Sequence, residues 1–201
     1  MLPLHLWLAE AHVEAPTAAS VLLAGLLLKL GTYGLLRFSL VFFPTACMYF
    51  TPLVYTFGVL GGVYTSFTAL RQTDFKRIIA YTSVAHMSVV LVGIFTLDLK
   101  GLEASILQSV SHGFVSSALF FLVGIVYDRY HTRVVKYYGG LVHTMPMFSF
   151  IFLFFSLANL GVPGTSNFIG EFLLLISVYG VNTSLAIFYA LPVILAGGYS
   201  L

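Results

Sequence analysis

The stretch NLGVPGTSNF, residues 159–168, lies near the middle of an apolar segment that runs from about 146 to 179. That segment has about 34 residues, whereas one straight membrane crossing needs about 20. Gly161, Pro163 and Gly164 interrupt the backbone hydrogen bonds of a helix at this point. Irregular backbone at membrane depth is tolerated only where it is buried in protein or lines a wet cavity. We therefore predict a broken helix beside water, with a simple proline kink as the alternative.

The composition of the whole chain places such segments in a membrane. The 201 residues are 59% hydrophobic and only 8% charged, whereas soluble domains average about 25% charged residues. A globule of this size cannot bury that much apolar surface. The net charge of +2 is too small to indicate a nucleic-acid partner, and the single cysteine excludes an intrachain disulfide and a cysteine-ligated metal cluster. Met1 is followed by no basic region, so we expect no cleavable signal.

Clusters of charged residues divide the chain into apolar runs, and we predict an all-α polytopic membrane protein. The six predicted spans lie at about 17–40, 46–70, 77–97, 102–127, 146–179 and 184–201, the fifth being broken at Gly161 to Gly164. The connections carry net charges of +2 (71–77), −1 (98–103) and +2 (128–136). Because connections alternate sides, the two basic ones share a face, which the positive-inside tendency assigns to the matrix or cytoplasm.

Four ionisable residues remain at similar depth inside the predicted spans. Lys29, His86 and His112 each lie near the middle of a span, and Glu171 follows the break by two turns. A charge at the centre of a spanning helix costs about 2.5 to 3.5 kcal/mol, and Lys29 is about 15 Å from either end of its helix, beyond easy snorkelling. Each histidine taken alone is explained by packing and hydrogen bonding. Together the four residues predict a proton relay, because burial moves Lys and carboxyl groups toward exchange near neutral pH, where His already titrates.

Other polar residues are assigned more general roles. Hydroxyl groups could hold waters between the four ionisable groups: Tyr33, Ser83, Ser109, Ser111, Ser116 and Ser117. Before the first span, Glu10 and Glu14 flank His12, and this turn either favours the helix dipole or lines a polar path. The basic residues of the connections are interpreted as topology anchors and lipid-headgroup partners: Arg71, Lys76, Arg77 and Lys136.

Four stretches resemble the chain 4 family of the proton-pumping NADH:ubiquinone oxidoreductase, respiratory complex I. They are LHLWLAEAHVEAPTAASVLLAGLLLKLGTYGLLRF (4–38), RQTDFKRIIAYTSVAHM (71–87), SHGFVSSALFFLVGIVYDRYHTR (111–133) and LANLGVPGTSNFIGEFLLL (157–175). The resemblance runs along the whole chain in order, and the sequence is most similar to plant and protist mitochondrial forms. It implies an antiporter-like inverted-repeat fold in the mitochondrial inner membrane. The implied function is proton translocation coupled to electron transfer from NADH to ubiquinone.

The resemblance also implies roles for the four ionisable residues. Lys29 corresponds to the central proton-channel lysine, His112 to the histidine of the hydrophilic axis, and Glu171 to the exit-side glutamate. His86 faces the same polar axis in the family. Glu171 favours chain 4 over the related chains 2 and 5, in which a lysine is common at this place. Ala9 departs from the family, which usually has proline there, so the turn before the first span is expected to differ.

The family has more spanning helices than this chain, arranged as two inverted repeats. As one transmembrane domain, residues 1–42 would be the end of the first repeat and 43–201 most of the second. We therefore expect a split gene or a fragment, with another chain supplying the N-terminal helices. Neighbouring antiporter-like subunits and lipids are the other expected partners, and NADH, FMN, iron–sulfur clusters and ubiquinone are expected on other subunits. The alternatives are a multisubunit cation/proton antiporter and a purely structural assembly fragment.

Overall fold

The computed structural model describes residues 4–200, and nearly all of them are helical. The helices are, in chain order, α1 (Leu6–Glu14), α2 (Thr17–Phe42), α3 (Pro44–Leu70), α4 (Phe75–Ile94), α5 (Leu99–Tyr130), α6 (Leu141–Thr144), α7 (Pro146–Leu160), α8 (Ser166–Val181) and α9 (Thr183–Ser200). Within these described residues, α2, α3, α4, α5 and α9 are long and apolar enough to cross a membrane. The shorter apolar helices α7 and α8 together form the long predicted segment, so the predicted polytopic all-α fold is confirmed.

The break between α7 and α8 falls where the glycines and the proline predict it. Gly161 and Gly164 adopt left-handed backbone, with φ of +76° and +102°, which other residues rarely adopt. The amide of Gly161 donates to the carbonyl of Ala158 at 3.2 Å, which closes the end of α7. The hydroxyl of Thr165 donates to the carbonyl of Val162 at 2.8 Å, just before α8 begins. The segment is therefore a broken helix rather than a kinked one.

The two basic connections lie on the same face of the bundle and contact each other. The amide of Phe75 donates to the carbonyl of Arg133 at 3.0 Å, and the amide of Val135 donates to the carbonyl of Thr73 at 2.9 Å. These backbone bonds join the start of α4 to the connection that follows α5. They confirm the prediction that both basic connections are on one side of the membrane.

A second break in the helical backbone separates α1 from α2, at the turn expected before the first span. Ala15 is extended and Pro16 follows it, and proline cannot donate the next backbone hydrogen bond. The hydroxyl of Ser20 donates to the carbonyl of His12 at 3.1 Å, so a side chain satisfies part of the broken ladder. Ala9 lies inside α1 and does not interrupt it.

Lys76 lies at this second break and is only 1% exposed. Its Nζ donates to the carbonyl of Ala15 at 2.8 Å and lies 5.9 Å from the centre of the Tyr127 ring. A cation is favourable at this place because it meets an unpaired carbonyl at the C-terminus of α1. Lys76 is therefore buried inside the protein, and its interpretation as a lipid-headgroup partner is wrong.

Helix α4 occupies the centre of the bundle. In an apolar stretch of 18 residues of α4, 78% is buried, compared with 17% for the corresponding stretch of α2 and 22% for that of α9. It packs against α3 and α5, and α5 packs against α8. Because α4 and α5 are covered on most sides, the polar side chains at their midpoints are shielded from lipid and need partners inside the protein.

Candidate functional site

The four ionisable residues predicted from the sequence form one connected row across four helices. Nζ of Lys29 on α2 lies 2.9 Å from Nδ1 of His112 on α5. The ring of His112 lies beside that of His86 on α4, with 5.3 Å between the ring centres. Nδ1 of His86 lies 2.8 Å from Oε1 of Glu171 on α8. The row therefore runs Lys29, His112, His86, Glu171, with His86 between His112 and the carboxylate.

The local shape of α2 places Lys29 at one end of this row. A widened helical turn at Leu23–Leu27 comes directly before it, a feature that is frequent at functional sites. Its Nζ donates to the carbonyl of Ala24 at 2.6 Å in addition to contacting His112. Gly113 makes room for the lysine, because a Cβ added there would lie 3.4 Å from Cε of Lys29. The ammonium group is thus held between a carbonyl dipole and an imidazole ring.

At the other end, the two carboxylate oxygens of Glu171 face different groups. Oε1 contacts His86 and also accepts a hydrogen bond from Nε2 of Gln108 at 3.2 Å. Oε2 faces the helix break, where a Cβ added to Gly161 would lie only 2.9 Å from it. Glycine at 161 is therefore required twice, for its left-handed backbone and for the space that it leaves to the carboxylate.

The side chains of this row can transfer protons, because each accepts a proton in its deprotonated form and donates a proton in its protonated form. An imidazole nitrogen accepts a hydrogen bond from an ammonium group and donates one when it is protonated. His86 Nδ1 and Glu171 Oε1 lie 2.8 Å apart, which is hydrogen-bond distance. Within the described residues, Nε2 of His86 and Nε2 of His112 are buried without a hydrogen-bond partner, as expected where internal water enters.

His12 and Glu14 lie away from this row. His12 is buried and stacks on Phe120, with 4.5 Å between ring centres, and both its nitrogens lack a hydrogen-bond partner in residues 4–200. The ammonium groups of Lys76 and Lys29 both interact with it electrostatically. Glu14 is exposed at the end of α1.

In the described residues, the predicted hydroxyl groups of Tyr33, Ser83 and Ser116 are not hydrogen-bonded to the row. Tyr33 is 55% exposed, and its ring packs edge-on against Phe38. Ser83 and Ser116 are buried, but their hydroxyls donate to carbonyls of their own helices, at 2.9 Å for Ser83 and 3.5 Å for Ser116.

Gln108 is the contact of Glu171 that the sequence did not predict. It is fully buried in α5, one turn before His112. An uncharged amide in an apolar run does not stand out as ionisable groups do, although a buried amide needs a partner as much as they do. Residues 4–200 contain no group of three or more His, Cys, Asp and Glu that could hold a metal ion.

Comparisons with known proteins agree with this arrangement of helices. A family model described as "NADH:quinone oxidoreductase/Mrp antiporter, TM" matches residues 1–195. Over all 201 residues, the chain is 62% identical to NADH-ubiquinone oxidoreductase chain 4 of Marchantia polymorpha and 60% identical to the protein of that name from Triticum aestivum. It spans 41% of the length of each of them.

The same arrangement of helices is found in a solved structure. One chain of the respiratory complex I from Thermus thermophilus with bound NADH superposes with a TM-score of 0.94 at 31% identity. The match covers 99% of the present chain and 43% of that chain. With the family model covering nearly every residue, the chain belongs to the transmembrane family of NADH:quinone oxidoreductases and Mrp antiporters.

Proposed function

We propose that this chain is part of an antiporter-like subunit in the membrane arm of a respiratory NADH:ubiquinone oxidoreductase, where it takes part in proton translocation. The observation that supports this most is the connected row from Lys29 to Glu171 inside a bundle of apolar helices. Ionisable groups inside membrane bundles typically mark proton or ion paths. The relatives from Marchantia polymorpha and Triticum aestivum are named NADH-ubiquinone oxidoreductase chain 4, and this name favours the mitochondrial inner membrane.

The proposed path uses all four side chains in spatial order. A proton passes between Lys29 and His112 directly, and one bridging water suffices to connect the two imidazole rings. His86 then exchanges the proton with Glu171, whose second oxygen faces the helix break. Each transfer changes the charge next to the following group, so the titrations are coupled along the row. His112 does not reach Glu171 by itself in this scheme, because His86 stands between them.

The electron-transfer chemistry belongs to other subunits in this proposal. The chain carries no dinucleotide-binding fingerprint and only one cysteine, so NADH, FMN, iron–sulfur clusters and ubiquinone would bind elsewhere. Partners are the other membrane-arm subunits, lipids, and a chain or segment that supplies the N-terminal helices. Residues 1–42 and 43–201 would belong to the first and second inverted repeats, respectively.

Two other functions share the fold. A subunit of a multisubunit cation/proton antiporter belongs to the same family, and a structural fragment needs no relay at all. The names and 60 to 62% identity of the two relatives favour the oxidoreductase over the antiporter. A structural role alone does not explain why three buried ionisable side chains and the half-buried Lys29 lie next to each other at a cost in stability.

Affinity purification of the tagged chain from its native membrane tests the proposal. We expect flavin and iron–sulfur subunits to copurify in mild detergent, and NADH oxidation in the resealed preparation to acidify one side without added sodium. Copurification with other integral membrane subunits only, together with sodium-dependent proton exchange in the absence of NADH, would select the antiporter. Copurification with the redox subunits, but normal pumping after replacement of both Lys29 and Glu171, would select the structural fragment.

A further inference from the structure

We infer that Gln108 is a positioning residue for the proton shared by His86 and Glu171, and that its amide keeps this proton on the histidine. The geometry stands on its own, and only the consequence for pumping rests on the proposed function. Gln108 is fully buried, and its Nε2 donates to Oε1 of Glu171 at 3.2 Å. That oxygen is the one that His86 contacts at 2.8 Å. One carboxylate oxygen therefore has two nitrogen neighbours of different character.

The side chain of Gln108 is held tightly in this position. A Cβ added to Gly170 on α8 would lie 2.3 Å from Oε1 of Gln108 and 3.0 Å from its Cα, so α8 passes directly over the glutamine. On the opposite side, the hydroxyl of Ser111 lies 3.5 Å from Oε1 and donates to the backbone carbonyl of Gln108 at 3.2 Å. With Oε1 on the side of Gly170 and Ser111, the NH₂ end of the amide faces Glu171. The glycine and the serine together orient the donor.

The two donors of Glu171 differ because only one of them can lose its proton. His86 Nδ1 donates when it is protonated and accepts when it is not, whereas an amide NH₂ always donates. A permanent donor on Oε1 stabilises the ionised carboxylate more than the neutral acid. When a single proton lies between His86 and Glu171, the amide of Gln108 therefore favours the state with imidazolium and carboxylate. Loss of that amide favours neutral imidazole and carboxylic acid.

Other titratable groups also face or interact with Glu171. His86 faces it from α4, and His112 on α5 lies behind His86. From α9, Tyr189 and Tyr199 interact with the carboxylate electrostatically, and the hydroxyl of Tyr189 is buried without a hydrogen-bond partner in residues 4–200. Helix α7, which also packs against α8, has no ionisable side chain. In the part of the chain that the structure describes, none of these groups is hydrogen-bonded to Gln108, so its replacement removes one donor and no charge.

Gln108→Met tests the inference, because methionine keeps the length of the side chain and removes the donor. The measurement is the infrared band of the protonated Glu171 carboxyl in the assembled membrane complex, titrated with pH and identified by its loss in Glu171→Gln. We expect the band to persist to a higher pH, by about one pH unit, which is the effect of losing one hydrogen bond to a charged group. An unchanged titration in a correctly assembled Gln108→Met complex would overturn the inference.

Two further variants separate positioning from folding. Gly170→Ala should displace the amide without changing its chemistry, and should shift the band in the same direction even if Gln108→Met fails to assemble. Ser105→Ala removes another fully buried hydrogen-bonding side chain of α5, which bonds only backbone carbonyls, and should leave the titration unchanged. A band shift in Ser105→Ala as large as that in Gly170→Ala would assign the effect to helix packing. A shift in Gln108→Met alongside normal pumping by Glu171→Gln would support the positioning role and contradict the proposed relay.

Discussion

Replacement of Lys29 by methionine is expected to lower the rate of proton translocation at least about tenfold, because a positioned proton-transfer group typically contributes a hundredfold or more. Methionine fills the space of the lysine stem but cannot hold a proton between the carbonyl of Ala24 and Nδ1 of His112. The measurement is NADH-driven acidification of reconstituted vesicles, normalised to the amount of assembled complex.

The matched control for this prediction is Lys100→Met. Lys100 is an exposed lysine at the start of α5, and we expect its replacement to leave pumping within about twofold of the unmodified complex. The amount of assembled complex, determined by native electrophoresis, separates loss of transport from loss of the protein. Unimpaired pumping by a well-assembled Lys29→Met complex would remove Lys29 from the path.

The second large effect is expected for His86→Leu, which interrupts the row between His112 and Glu171. We expect a loss of pumping of about tenfold or more, similar to that of Lys29→Met, because leucine neither accepts nor donates a proton. The leucine side chain suits an apolar helix, so the variant is expected to assemble. The measurement is the same vesicle acidification, made over a range of pH.

This variant distinguishes two routes through the same four residues. If protons pass from His112 to Glu171 without His86, the His86→Leu complex should pump normally, and the spatial order proposed above is wrong. His143→Leu provides the control, because His143 is exposed in α6 and outside the row. We expect that control to pump at the normal rate.

The fold was predictable from local features of the sequence. About 20 apolar residues between charged clusters are sufficient to indicate a spanning helix. In residues 4–200, five of the six predicted spans are single long apolar helices, and the sixth is the pair of shorter apolar helices α7 and α8. The break at Gly161 to Gly164 was predictable because glycine and proline act on their own backbone. The shared face of the two basic connections followed from the alternation of sides. Each of these inferences needs no knowledge of which helices are neighbours.

The contacts of the site were only partly predictable, because position along a span gives the depth of a residue but not the direction in which it points. Lys29, His86, His112 and Glu171 were placed at one level, but the position of His86 between His112 and Glu171 depends on how four helices pack. In helices that are apolar on nearly every side, the hydrophobic pattern does not show which face is buried.

The same limitation accounts for residues whose surroundings differ from those expected and for one contact that was not predicted. Tyr33 lies at a suitable depth but faces outward, and Lys76 lies in a basic connection but is buried against the end of α1. Gln108 carries no charge, so its contact with Glu171 becomes evident only when α5 and α8 are seen together. For these three residues, the contacts depend on the direction in which the side chain points around its helix, and the residue type does not show that direction.

The most direct test of a single connected path is the double variant Lys29→Met/His86→Leu, compared with its two single variants in the same vesicle assay. Residues that act as one unit are strongly non-additive, since the path is already blocked after the first replacement. We expect the double variant to pump no more slowly than the slower of the two single variants. If the two losses multiply instead, the residues act independently and the connected row is not the proton path.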